Sequence, residues 1–112
     1  MQSYVGFDIG GTSMRVACIT NDGINDVHKI PTPPDPEEGI RALTGLIAEC
    51  AKDVPLAGAA GGFPSVIAEG VVYRAPNLEA WSGINLAERL SKEIAAPVAL
   101  HNDADLAALG EA

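Results

Sequence analysis

The sequence predicts a mixed α/β sheet with helices packed on its faces, and three observations carry that expectation. Apolar, β-prone runs at 3–9, 14–20 and 24–31 follow one another across short turns. Two helical periodicities, one beginning at Asp35 and one near Asn85, each follow a capping signature. A short apolar run then follows each helix, at 56–60 and at 98–102. Strands joined by tight turns are antiparallel, whereas strand–helix–strand crossovers impose parallel pairing, so both kinds meet in one sheet.

The elements can be justified in order. Val5-Gly6-Phe7-Asp8-Ile9 leads into Gly10-Gly11-Thr12, and Ser13-Met14-Arg15-Val16-Ala17-Cys18-Ile19 leads away from it. The glycines are expected to supply positive φ and to leave bare backbone within reach of a ligand. Asn21-Asp22-Gly23 marks the second turn. Residues 32–36 form a proline-rich connector that cannot extend a sheet. Asp35 caps the first helix, Pro36 suits its first position and Glu38 completes a capping box. Ile40, Leu43, Ile47, Cys50 and Val54 form one apolar stripe, which Pro55 stops. The run 56–60 is small and apolar, as suits a strand buried on both faces, and Gly61-Gly62-Phe63-Pro64-Ser65 reads as a loop. Residues 66–68 and 71–73 read as a small hairpin turning at Glu69-Gly70, and 77–81 as irregular. Asn85 and Glu88 repeat the capping-box spacing before Leu86, Leu90 and Ile94, and Pro97 closes that helix. The run 98–102 is the last strand, and Asp103 opens a final helix through Leu106, Ala107 and Leu109.

Composition sets the outer limits. A chain of 112 residues buries one core, so residues 1–112 are expected to form one domain. Its 15 acidic and 7 basic residues give a formal net charge of −8, which argues against a nucleic-acid backbone as partner. No apolar run approaches the ~20 residues of a membrane span, and no charged-then-apolar leader opens the chain. Cys18 lies in a strand pattern and Cys50 on a helix's apolar face, so both are expected as reduced core thiols in a cytoplasmic protein. Cys18, Cys50, His28 and His101 lack the spacing of a zinc motif.

The chemistry concentrates at strand ends, where ligands of open α/β sheets gather. Gly10, Gly11 and Thr12 offer a bare turn and a hydroxyl for phosphate oxygens, and Asp8 offers a carboxylate for a divalent cation. Asp103 ends the last strand at a helix start, where the helix dipole keeps it ionised. Taken locally it is a helix cap; paired with a phosphate turn it is a base that accepts a hydroxyl proton during phosphoryl transfer. Asp8, Asp103 and Asp105 also suit a two-metal nuclease, against which the acidic balance and the Gly-Gly-Thr turn both weigh.

In order and spacing, Asp8-Ile9-Gly10-Gly11-Thr12, the 61–65 loop, Ala75-Pro76-Asn77-Leu78 with Trp81, and Asn102-Asp103-Ala104-Asp105 resemble ROK-family sugar kinases, a group that includes glucokinases, fructokinases and N-acetylmannosamine kinases. The resemblance covers essentially the whole chain. It implies a ribonuclease-H-like lobe of the actin-like ATPase class: a mixed five-stranded sheet with a small extra hairpin and helices on its faces. It further implies an ATP- and Mg2+-dependent kinase acting on a hexose or amino-hexose. Gly10, Gly11 and Thr12 would face the ATP phosphates, Asp8 would position magnesium, and Asp103 would be the base. Asn102, Asn77, Asp103 and the backbone at Gly62 would hold sugar hydroxyls. Arg15 stands where the family is often basic, or is a solvated strand residue; Trp81 is expected to pack rather than to stack on a sugar, and His101 to be a core or sheet-face histidine. The chain departs from the family's Gly-x-Pro-Gly at Gly62-Phe63-Pro64-Ser65, and carries Asp105 where Asn or Gly is common. The family's second lobe, with its zinc site, is expected to be absent. On that expectation residues 1–112 are an N-terminal lobe that does not turn over alone and that self-associates through the face its missing half would cover. A sugar-responsive regulator of the same family is the alternative, and such regulators carry a DNA-binding segment before the first strand.

Overall fold

The computed structural model describes residues 3–20, 23–51, 55–63, 66–68, 70–74 and 79–102. In chain order the elements are β1 (Ser3–Ile9), β2 (Ser13–Thr20), β3 (Gly23–Pro31), α1 (Pro36–Cys50), β4 (Leu56–Phe63), β5 (Val66–Ala68), β6 (Val71–Arg74), a 3-10 turn (Glu79–Trp81), α2 (Leu86–Ile94) and β7 (Val98–Asn102). Five strands form one sheet in the order β3-β2-β1-β4-β7, and β5 and β6 form a separate hairpin. The β1–β2 and β2–β3 pairs are antiparallel, while β1–β4 and β4–β7 are parallel. This is the mixed five-stranded sheet with an extra hairpin that the sequence predicts. Because β1, β4 and β7 run the same way, their carboxyl ends share one sheet edge.

Alternation along β1 divides the molecule. Val5, Phe7 and Ile9 are buried, whereas Tyr4 and Asp8 are exposed on the other face. On the buried face Met14 and Val16 of β2, Ile40, Leu43 and Ile47 of α1, and Leu86 and Leu90 of α2 complete one core. Trp81 and Phe63 are fully buried in it, their rings 5.6 Å apart and tilted by 47°. Each such side chain contributes about 1.5–3 kcal/mol of transfer free energy. Trp81 therefore packs, as its sequence context suggests. Its six-membered ring lies where Gly39 has no side chain: a Cβ there would meet ring atom Cη2 at 2.6 Å.

Both helices start as their caps require. The Asp35 carboxylate accepts from the Glu38 N–H, and Pro36 opens α1. The Asn85 side chain accepts from the Glu88 N–H at 3.2 Å and donates to the Glu88 carboxylate at 3.3 Å, so both ends of its amide hold Glu88. An ion pair of 2.9 Å between Arg89 and Glu37 ties α2 to α1, and Lys92 pairs with Glu88 one turn away. The Arg89 hydrogen bond holds the Glu37 carboxyl below its ordinary value, and Lys92 does the same for Glu88.

Four expectations are corrected. Gly61, Gly62 and Phe63 are not a loop but the last residues of β4, which is three residues longer than the apolar run suggests. Its flanking strands explain this, since Gly61 pairs with Phe7 on one side and Leu100 on the other, and a Cβ at Gly61 would collide with the Phe7 ring. Nor is the 56–60 run buried on both faces: Ala59 is buried and Ala60 exposed. Among the described glycines, positive φ occurs at Gly23, Gly70 and Gly83, not at Gly10 or Gly11. Finally, Cys18 and Cys50 are not reduced thiols but a disulfide with Cα atoms 5.4 Å apart. Each lies on an apolar face as read, but only the packing of α1 on β2 brings the two together. Among the described residues no helix is long and apolar enough to cross a membrane.

Candidate functional site

The carboxyl edge of β1, β4 and β7 gathers most of the residues singled out from the sequence. Asp8 pairs with Arg15 on β2 and with Gly62 on β4, and Gly62 pairs with His101 on β7. Arg15 in turn pairs with Lys29 of β3. Directly paired residues project to one face, so Lys29, Arg15, Asp8, Gly62 and His101 form a row across the face that α1 and α2 leave open. With strands about 4.8 Å apart, Asp8 and His101 stand roughly 10 Å from one another. Gly62 between them is buried and adds no side chain to the row. A shallow hollow of about 280 Å³ runs along this face past Gly6, Ala60, Asp8, Arg15 and Val27.

The Gly10-Gly11-Thr12 turn stands directly beyond this row. Gly10 N–H donates to the Ser13 carbonyl at 2.8 Å, closing the bend. A Cβ on Gly10 would lie 2.9 Å from that same carbonyl oxygen. Glycine is needed at Gly10 for close approach, not for a left-handed φ. Gly11 and Thr12 are exposed, and their N–H groups have no partner among the described residues.

Sequence reasoning passed over Thr32. Its hydroxyl donates to the Gly10 carbonyl at 2.7 Å, and its N–H donates to the Thr12 carbonyl at 3.1 Å. In a three-strand meander the end of β3 must return beside the β1–β2 turn, and Ser13 pairs with Pro31. A hydroxyl immediately after β3 was the available signal, hidden inside a proline-rich connector.

Of the sugar-side residues, Asn102 is the last residue of β7, in register with Phe63. Its backbone therefore ends at the same edge as Asp8 and Gly62. Asn77, Asp103 and Asp105 lie outside the described residues. The donor set suits a magnesium-bound phosphate chain: a hard, exposed carboxylate at Asp8 beside a turn that only a residue without Cβ can make.

A sheet of this order, with its glycine turn at the carboxyl edge, defines a lobe of the actin-like ATPase fold, and solved structures bear this out. The ROK family glucokinase from Streptomyces griseus, in complex with glucose and AMPPNP, superposes with a TM-score of 0.85 at 27% identity, over 97% of this chain and 36% of that one. The glucokinase of Streptomyces coelicolor is 33% identical over 111 residues, covering 96% of this chain and 34% of that protein. The N-acetyl-D-glucosamine kinase of Citrobacter koseri is 35% identical over 114 residues, covering 97% of this chain and 37% of that protein. The ROK family profile matches residues 4–112, and the chain belongs to that family. It spans about a third of the length of these relatives.

Proposed function

We propose that this chain is the N-terminal lobe of an ATP-dependent sugar kinase that transfers the γ-phosphoryl group to a hydroxyl of a hexose or amino-hexose. The observation that carries the reading is the Thr32-tied glycine turn standing beside exposed Asp8, on the edge where β4 and β7 also end. The family and the relatives named glucokinase and N-acetyl-D-glucosamine kinase support it.

On this reading magnesium and the nucleotide supply the phosphoryl group and neutralise its charge. The chain's own residues position and accept. The amides of Gly11 and Thr12 and the Thr12 hydroxyl donate to phosphate oxygens, and Gly10 provides the close bend. Asp8 holds the cation, directly or through its water. Asp103, next in sequence to Asn102, accepts the proton of the attacking hydroxyl; in a loose transition state a carboxylate suffices as base. Asn102, Asn77 and the Gly62 backbone orient the other hydroxyls of the sugar. A second lobe would complete the nucleotide contacts, so the 112 residues alone are not expected to turn over. Tyr4, Ile24 and Val27, exposed on the open face, support self-association of this lobe, which sedimentation equilibrium would read as a dimer.

Amide-resolved NMR tests the assignment. Magnesium–AMPPNP should shift the Gly10, Gly11 and Thr12 resonances, and a hexose should shift those near Gly62 and Asn102. If neither titration moves these amides, the kinase reading fails. A coupled phosphorylation assay over a hexose panel tests the lobe reading separately: turnover by the 112 residues would show that no second lobe is required.

A further inference from the structure

We propose that, in the reduced chain, Cys18, Cys50 and His28 form a binding site for a borderline-soft divalent cation such as zinc, and that the Cys18–Cys50 disulfide and the metal are alternative occupants of one position. The sulfurs of Cys18 and Cys50 and a ring nitrogen of His28 all lie within 4.8 Å of one another. These residues come from three elements. Cys18 is on β2 and 5% exposed, His28 is half-buried on β3, and Cys50 ends α1. His28 pairs with Val16 and so shares the helix-covered face, two residues along from Cys18. A disulfide needs no imidazole beside it, and the imidazole is what turns a cross-link into a ligand set.

The distances suit tetrahedral zinc. Bonds of about 2.3 Å to sulfur and 2.0–2.1 Å to nitrogen place neighbouring ligand atoms about 3.5–3.8 Å apart. The bonded sulfurs, about 2.0 Å apart in any disulfide, would separate by less than 2 Å, and the imidazole, within 4.8 Å of both, would need to close by no more than about 1 Å. Rotamer adjustments supply such moves without shifting a strand. Three protein ligands leave the fourth position to water. The motif is not local, since residues 18, 28 and 50 follow no metal-binding spacing, and the topology alone assembles it.

The chemistry balances in two steps. A thiol reductant gives two electrons to the disulfide, ends as a disulfide itself and leaves Cys18 and Cys50 as thiols. The cation then binds both as thiolates and the neutral imidazole, releasing about two protons per ion. Neither step involves the sugar or the nucleotide. Five residues of β2 separate Cys18 from the glycine turn, about 20 Å along the strand, so the site is independent of the proposed kinase chemistry.

Cobalt(II) is the probe. The 112-residue chain is reduced with a phosphine, which takes up water oxygen as it opens the disulfide, and is then titrated anaerobically. The expected result is an ultraviolet thiolate-to-cobalt charge-transfer band that saturates at one ion per chain, is displaced by zinc and is missing from the oxidised chain. His28→Val, which keeps strand propensity, should weaken binding by more than about tenfold. Should that variant misfold by circular dichroism, paramagnetically shifted His28 ring protons in the wild-type cobalt form give the same answer. No band in the reduced chain, a band of equal strength in the oxidised chain, unchanged affinity in folded His28→Val, or unshifted His28 protons would each overturn the proposal.

Discussion

The two faces of the sheet obey different rules although they are made from the same strands. On the helix-covered face Val5, Phe7 and Ile9 meet α1, α2 and Trp81 in a predominantly apolar core, beside which buried Ser3 donates its hydroxyl to the Pro55 carbonyl. On the open face, toward the carboxyl ends of β1, β4 and β7, stand Asp8, Arg15, Gly62 and His101, while Tyr4, Ile24 and Val27 leave apolar surface exposed farther along the same face. A single residue step separates them, so folding and chemistry are written in alternate letters of one strand. The difference teaches that substitutions one position apart should fail in different assays.

Four stability measurements by urea unfolding, and one pH series, can break or sharpen that division. Trp81→Ala should have the largest effect, about 3–5 kcal/mol, because it empties the middle of the core. A loss below about 1 kcal/mol would mean that the helix-covered face is not where stability resides. Gly39→Ala comes next. Alanine would gain about 1 kcal/mol of helix propensity, but its Cβ runs into the Trp81 ring. Overpacking of about 1–3 kcal/mol should win, giving net destabilisation. Thr32→Val removes the hydroxyl bond to the Gly10 carbonyl and should cost about 1 kcal/mol, with amide shifts confined to the turn. Asp8→Asn should change stability by less than about 0.5 kcal/mol while abolishing the magnesium–nucleotide response of Gly11 and Thr12. If it unfolds the chain as Trp81→Ala does, the faces are not separable.

The smallest effect belongs to acid. Glu37 and Glu88 have lowered folded-state values because Arg89 and Lys92 donate to them. Their contribution is therefore complete above the ordinary carboxylate value of about 4.3 and disappears as pH falls through the lowered ones. Both pairs are exposed, so the urea midpoint should decline only slightly there, and Glu37→Gln should remove part of the decline.

Much of this architecture was legible locally. Asp35 with Pro36 and Glu38, and Asn85 with Glu88, marked both helix starts, because capping depends on residues within one turn. Apolar, β-prone runs marked β1 and β2, and the paired glycine turn pointed to the sheet edge where Asp8 stands. What was not legible depends on distant partners. Gly61 and Gly62 read as loop punctuation, yet Phe7, far away in sequence, requires a glycine beside its ring. Cys18 and Cys50 each read as core residues, and their union across 32 positions follows from how α1 crosses β2. Thr32 carried no motif at all, since its job is defined by the meander that returns it to the turn.

Thr32 has an electrostatic consequence. Carbonyl oxygens repel an anion, and a bend of bare peptide exposes them as readily as it exposes amides. By donating to the oxygens of Gly10 and Thr12, Thr32 engages their lone pairs and polarises the adjoining peptide units. One threonine just past the neighbouring strand thereby gives a neutral loop a positive aspect, in a chain whose net charge is −8.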